Sequence, residues 1–300
     1  MLVDMKQKNS FFIIGWIAII TFAAIRIILG ISSEGFIAQI TPFILTFILF
    51  SFALFHGIKC YGTKDLLVFL CITFVVSWLY ENISIITGFP FGHYYYTAAL
   101  GPKLWRVPVY IMFAYFGVGY LSWILAHILL DKFDNKMKGA DAFFIPFIAG
   151  FVMVLWDLCT DPNCSTIRKL WIWKDGGAFF GVPVTNFLGW YLCVYTIYQI
   201  FAFYLLTKKV HIAPKILVSK IFWVLPTLMY MAILLQFPFT AFFCNNTQIK
   251  SLDNHTWWTN DINGSLFMIS IFTMFFISSL CLIKITRNNN LALNSSPKKL

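Results

Sequence analysis

Glu81 and Asp157 are acidic side chains set inside apolar runs, and Asp161 follows Asp157 by one helical turn. A bilayer tolerates buried charge poorly, so acids at such positions are functional-site candidates by default. Apolar surroundings favour the protonated form of a carboxyl, and a protonated carboxyl can deliver its proton to a carbon–carbon double bond. The tertiary cation that results needs electron-rich faces around it, each cation–π contact contributing roughly 0.5–2 kcal/mol. Tyr94 and Tyr96 follow Glu81, and Trp156, Trp171 and Trp173 flank the two aspartates. Capture of the cation by water gives a tertiary alcohol. Loss of a proton instead gives a cyclised or isomerised alkene.

On this reading Asp157 is the general acid, Glu81 orients or deprotonates the attacking water, and Asp161 is the reserve candidate. Tyr94, Tyr96, Trp156, Trp171, Trp173 and Asn186 are the expected lining of a substrate pocket. Structural alternatives stand beside each role. Glu81 could be polar glue between helices, and Asp157 could pair with Arg26. Pro162 disfavours helix at Asp161, which could simply leave the helix there. Asn186 could cap the helix it opens.

The elements that position these residues are membrane helices. The chain is 60% hydrophobic and 11% charged, with a mean hydropathy of +0.78, whereas a soluble domain is nearer a quarter charged. Apolar runs fall at about 11–31, 36–56, 65–87, 108–130, 142–159, 184–207, 217–243 and 265–284, most of them long enough to cross a bilayer. The expected fold class is therefore all-α, a polytopic bundle of about eight transmembrane helices. Pro226 and Pro238 put the continuity of the seventh in question. One domain is expected over 1–287, followed by a polar, disordered tail over 288–300.

Of 22 basic residues, fifteen fall in the segments on the N-terminal side of the membrane, six on the other, and Arg26 within a span. Positive-inside counting then places both termini in the cytoplasm and the two chemically rich stretches, 81–108 and 156–190, on the outer face. An integral protein of the cytoplasmic membrane is expected, with its site near that face. The net charge of +10 is this topological signal and calls for no nucleic-acid partner.

On the third helix Thr73, Ser77, Tyr80, Glu81, Ser84 and Thr87 share an arc of about 120° at 100° per residue, which points Glu81 into the bundle. The segment after it carries Gly88, Pro90, Gly92, Gly101, Pro102 and Pro108, too many breakers for regular helix. Its many rings call for a place against the membrane or folded back into the bundle. The polar stretch 244–264 reads as an external flap.

Several chemistries lack their motifs. His56, His93, His127, His211 and His255 do not pair at the spacings of membrane di-iron enzymes. No phosphate-cradling or dinucleotide-binding glycine motif occurs, no Cys/His spacing suggests a metal site, and a single Asp-x-x-x-Asp lacks the second aspartate-rich motif of aromatic prenyltransferases. No metal and no cofactor is expected.

Glu81, then Thr87-Gly88-Phe89-Pro90-Phe91-Gly92-His93-Tyr94-Tyr95-Tyr96-Thr97, Leu100-Gly101-Pro102 and Val107-Pro108 form one ordered series. Asp157, Asp161-Pro162, Trp171-Ile172-Trp173, Phe180-Gly181-Val182-Pro183 and Asn186-Phe187-Leu188-Gly189-Trp190 form a second. Together they resemble the carotenoid biosynthesis membrane family over about 65–207. That family includes carotenoid hydratases acting on end groups of γ-carotene and bisanhydrobacterioruberin type. The resemblance implies cofactor-independent addition of water across the terminal double bond of an acyclic carotenoid. Its implied partners are a carotenoid or other isoprenoid lipid substrate, membrane lipid, and other enzymes of carotenoid synthesis. A cyclase or isomerase using the same cation, and a non-catalytic carotenoid- or lipid-binding membrane protein, are the alternatives.

Overall fold

The computed structural model describes residues 2–31, 35–208 and 214–292, with the side chains of 2–8 and 35–38 outside the description. Its helices are α1 (Leu2–Ile31), α2 (Gly35–Thr87), α3 (Val109–Leu129), α4 (Asp141–Asp161), α5 (Val184–Leu206), α6 (Lys220–Ala232), α7 (Gln236–Phe243), α8 (Thr259–Ser270) and α9 (Phe276–Arg287). Six short strands accompany them: β1 (Tyr94–Tyr96), β2 (Lys103–Leu104), β3 (Val107–Pro108), β4 (Trp171–Trp173), β5 (Gln248–Lys250) and β6 (Thr256–Trp258).

Among the described residues, seven helical stretches are long and apolar enough to cross a membrane. One of them, Gln39–Thr87, has 49 residues. At about 1.5 Å per residue it would reach roughly 70 Å, more than twice a ~30 Å hydrocarbon core. It is not one rod. Gly62 interrupts it with φ 78° and ψ 166°, a conformation open to glycine and strained for other residues. Phe50 from one arm and Phe74 from the other both pack edge-on against Phe113, so the arms run back alongside each other. Seven stretches thus make eight crossings, as the hydropathy runs predict.

α3 is apolar all round, the signature of a central helix. It is buried on nearly every side and packs against α2, α4, α6 and α9. Outward-facing apolar side chains such as Ile17, Phe47, Leu188 and Phe272 remain exposed, the arrangement lipid requires. At the end of the bundle holding the lysine-rich loops, Lys132 pairs with Asp141 at 2.8 Å and Lys208 with Asp65 at 2.7 Å.

Three local features bear on the sequence expectations, and each has a physical cause. The helix of Asp157 does not end at Asp161. Asp161 keeps helical angles, and the chain continues as a π-helix over Pro162–Ile167, in which Arg168 N–H reaches Asn163 O at 2.9 Å. The wider π turn accommodates a proline whose missing N–H breaks the α pattern. The seventh run tightens to a 3₁₀ turn at Ile233–Leu235, just ahead of Pro238. The helix at 259–287 starts inside the stretch read as a flap, because its first turn is polar and hydropathy does not register it. The rest of that stretch forms the β5–β6 hairpin. Of the expected tail, Ala292 bonds Lys220 and Val218, and residues 293–300 lie outside the described residues.

Candidate active site

The polar stripe on α2 anchors the aromatic loop that follows it. Ser84 Oγ accepts from Phe91 N–H at 3.1 Å and donates to Gly92 O at 3.2 Å. The loop therefore turns back into the bundle, and Gly189 of α5 makes room for it. A Cβ there would meet Phe91 Cδ1 at 2.7 Å and Pro90 C and O at 2.8 Å. Beyond this turn β1 pairs antiparallel with β4, Tyr94 opposite Trp173, Tyr95 opposite Ile172 and Tyr96 opposite Trp171.

Strand alternation then decides which rings face inward. Tyr94 and Tyr96 are buried while Tyr95 is exposed; on β4 Trp173 is buried and Trp171 and Ile172 are half-buried. Tyr94 lies 4.8 Å from Trp173 between ring centroids, and Tyr96 lies 6.0 Å from Trp171. The two chemically rich stretches are thus hydrogen-bonded to each other.

The acids meet under this sheet. Glu81 is 2% exposed and accepts three phenol hydroxyls. Tyr94 and Tyr96 donate to Oε2, the latter at 2.8 Å, and Tyr115 donates to Oε1 at 2.9 Å. Burial, with the neighbouring Glu81 charge next, pushes the Tyr94 and Tyr96 hydroxyls well above the usual tyrosine range. They remain donors throughout ordinary pH.

Asp157 and Asp161, one turn apart on α4, are bridged by one amide. Asn186 Nδ2 donates to Asp157 Oδ2 at 2.8 Å and to Asp161 Oδ2 at 2.7 Å. Asp161 Oδ1 also accepts from the indole N–H of Trp171 at 3.0 Å and of Trp173 at 3.4 Å. Asn186 lies in the first turn of α5 with its side chain turned to the aspartates; the residue at the cap is Pro183.

All nine residues singled out from the sequence, Glu81, Tyr94, Tyr96, Trp156, Asp157, Asp161, Trp171, Trp173 and Asn186, line one cavity of about 120 Å³. The same lining includes the apolar side chains of Phe22, Leu45, Leu49, Ile111, Val118 and Phe237. Among the described residues none of the three acids takes part in an ion pair. In particular, Arg26 does not pair with Asp157. It lines the cavity, and its guanidinium donates to the carbonyl of Ile233 at 2.6 and 3.0 Å, an acceptor in the 3₁₀ turn ahead of Pro238.

Sequence reasoning passed over Tyr115, Trp190 and Phe91. Tyr115 holds Glu81 and stacks on Trp190 with centroids 4.3 Å apart and planes 4° from parallel. Trp190 also meets Trp156 edge-on at 5.8 Å. Tyr115 sits mid-way along a uniformly apolar helix, where no periodicity marks a face. Phe91 and Trp190 lay within the motif series and carried a signal that only their contacts resolve.

The chemical capacity of the cavity is that of several carboxyls among aromatic faces, next to an apolar slot. Residues 39–247 match the family described as carotenoid biosynthesis protein, a wider span than the motifs alone cover. Over 113 residues the chain is 30% identical to the bisanhydrobacterioruberin hydratase of Haloarcula japonica. That stretch is 37% of this chain and 36% of the relative, so the likeness spans about a third of either protein. No solved structure matches. With most of its membrane helices inside the matched span, the chain belongs to the carotenoid biosynthesis protein family.

Proposed function

We propose that this protein is a membrane carotenoid hydratase that adds water across the terminal double bond of an acyclic carotenoid end group. The observation that carries the reading is the aspartate pair sharing one amide, set in a cavity lined largely by aromatic and aliphatic side chains. The hydratase relative in Haloarcula japonica supports the same chemistry.

The hydrogen-bond inventory suggests the division of labour. Asp161 accepts three N–H donors, which suits a carboxylate. Asp157 accepts one, leaving Oδ1 to carry the transferable proton. In the first step the Asp157 O–H bond breaks and its proton bonds the CH carbon of the terminal alkene, using the π electron pair. The positive charge falls on the dimethyl carbon and rests against the Trp171 and Trp173 faces. Water bonds that carbon in the second step. The proton it releases goes to the Glu81–tyrosine cluster and returns to Asp157, so the enzyme is restored and one water is consumed. Phe22, Leu45, Leu49 and Phe237 would receive the hydrocarbon behind the end group.

The reading places the site near the outer face of the cytoplasmic membrane, because the lysine-rich loops lie at the opposite end of the bundle. Lys174→Cys, on the exposed turn after β4, should label with an impermeant thiol reagent from outside whole cells. Labelling only after permeabilisation overturns the orientation. The reaction itself is tested by expression in a host that accumulates lycopene. A pigment heavier by one water supports hydration. A product of unchanged mass and altered retention means cyclisation or isomerisation, and unaltered pigment that co-purifies with the protein means binding alone.

A further inference from the structure

Adding water to a hydrocarbon sets a problem of supply. The cation must be shielded enough to form, yet one water must reach it before it loses a proton. Next to the acid cavity lies a second one of about 650 Å³, far beyond the roughly 10–15 Å³ that one water needs. The two share Leu29, Pro42, Asn163, Arg168, Leu170 and Gln236 as common lining, so they adjoin through a neck. The character of the second cavity is different. Eight of its eighteen lining side chains are amides or hydroxyls, among them Gln39, Thr240, Asn245, Thr247, Thr259 and Asn263. No acid belongs to it, and Arg168 is its one cation among the described residues.

Eight hydrogen-bonding side chains around a space of this size can hold water. Thr247 and Asn245 are exposed while Thr240, Thr259 and Asn263 are buried, so the cavity leads from the surface inward. Gln236 stands at the neck, 8% exposed, and its amide can both donate to and accept from a passing water.

We propose that this second cavity is the water supply of the acid site, and that Gln236 at the neck is a positioning residue that hands water to the cation. The proposal rests on the hydratase reading and adds to it what decides between hydration and elimination. Water from the polar side forms the C–O bond, while the carotenoid occupies the apolar slot. With the neck made apolar, the same cation would return its proton to a carboxylate and leave as an alkene.

The test uses membranes holding the full chain, an acyclic carotenoid and D₂O, comparing the wild type with Gln236→Met at the neck and Asn263→Leu, which lies in the second cavity alone. Deuterium on carbon in recovered alkene reports protonation by the acid; alcohol reports water capture. The ratio of alcohol to deuterated alkene should fall on the order of tenfold in either variant, the effect of removing one hydrogen-bonded step from a water path. An unchanged ratio in both variants, with the wild type hydrating normally, overturns the water-supply proposal and leaves the hydratase reading standing. Equal loss of alcohol and deuterium also overturns it, since the residues would then serve the acid step. A wild type that gives neither product refutes the hydratase reading, and this inference with it.

Discussion

Replacing Asn186 by leucine is the sharpest perturbation of the aspartate pair. Leucine keeps the branched outline and the number of side-chain heavy atoms of asparagine, but removes both donors. Asn186 gives one hydrogen to each carboxyl, at 2.8 and 2.7 Å, and is 1% exposed. A hydrogen bond to a charged group is worth about 1.5–3 kcal/mol. If one of the two bonds is needed to hold Asp157 at the reacting carbon, that loss corresponds to roughly a ten- to hundredfold drop in rate at about 1.4 kcal/mol per decade. The measurement is alcohol formed per unit of protein in isolated membranes, with the variant's abundance determined alongside. Wild-type turnover at wild-type abundance would refute the claim that the bridged pair is the proton source, since both bonds would then be dispensable.

Other consequences can be checked with the same preparation. Tyr94→Phe, Tyr96→Phe and Tyr115→Phe each remove one donor from Glu81. Each should slow hydration by several-fold at about 1 kcal/mol per bond, and pairs of them should combine non-additively because they share one carboxylate. Gly189→Ala drives a methyl into the Pro90 backbone at 2.8 Å and should lower the melting temperature in detergent, through a packing cost of about 1–3 kcal/mol. Burial keeps the Tyr94 and Tyr96 hydroxyls protonated above the usual tyrosine range. The pH–rate profile should therefore show no falling limb from tyrosine ionisation up to about pH 10.

Much of this arrangement is legible in the amino-acid sequence, and the limits are physical. Hydropathy locates the helices because lipid demands apolar faces. It also finds Glu81 and Asp157, since an acid in such a run is conspicuous. The break at Gly62 is legible too, because Lys59 and Lys64 interrupt hydropathy between the runs ending at 56 and starting at 65. Asp161 is misjudged because Pro162 argues against α-helix, and nothing in a proline says that a π turn can follow instead. The β1–β4 pairing joins segments that local pattern cannot connect, although the alternation of Tyr94 with Tyr96 and of Trp171 with Trp173 is the pattern such a strand pair needs. Tyr115 is hidden by its own helix, apolar on every side. Its role comes from Glu81, which it meets across 34 positions of chain.

The most direct measurement supplies an acyclic carotenoid to the purified protein in lipid nanodiscs prepared in ¹⁸O-labelled water, with Asp157→Asn at equal loading. Hydration predicts an alcohol carrying the heavy oxygen with the wild type and almost none with the variant. Absence of labelled alcohol with the wild type, or equal amounts from both proteins, would contradict hydration driven by the Asp157 proton.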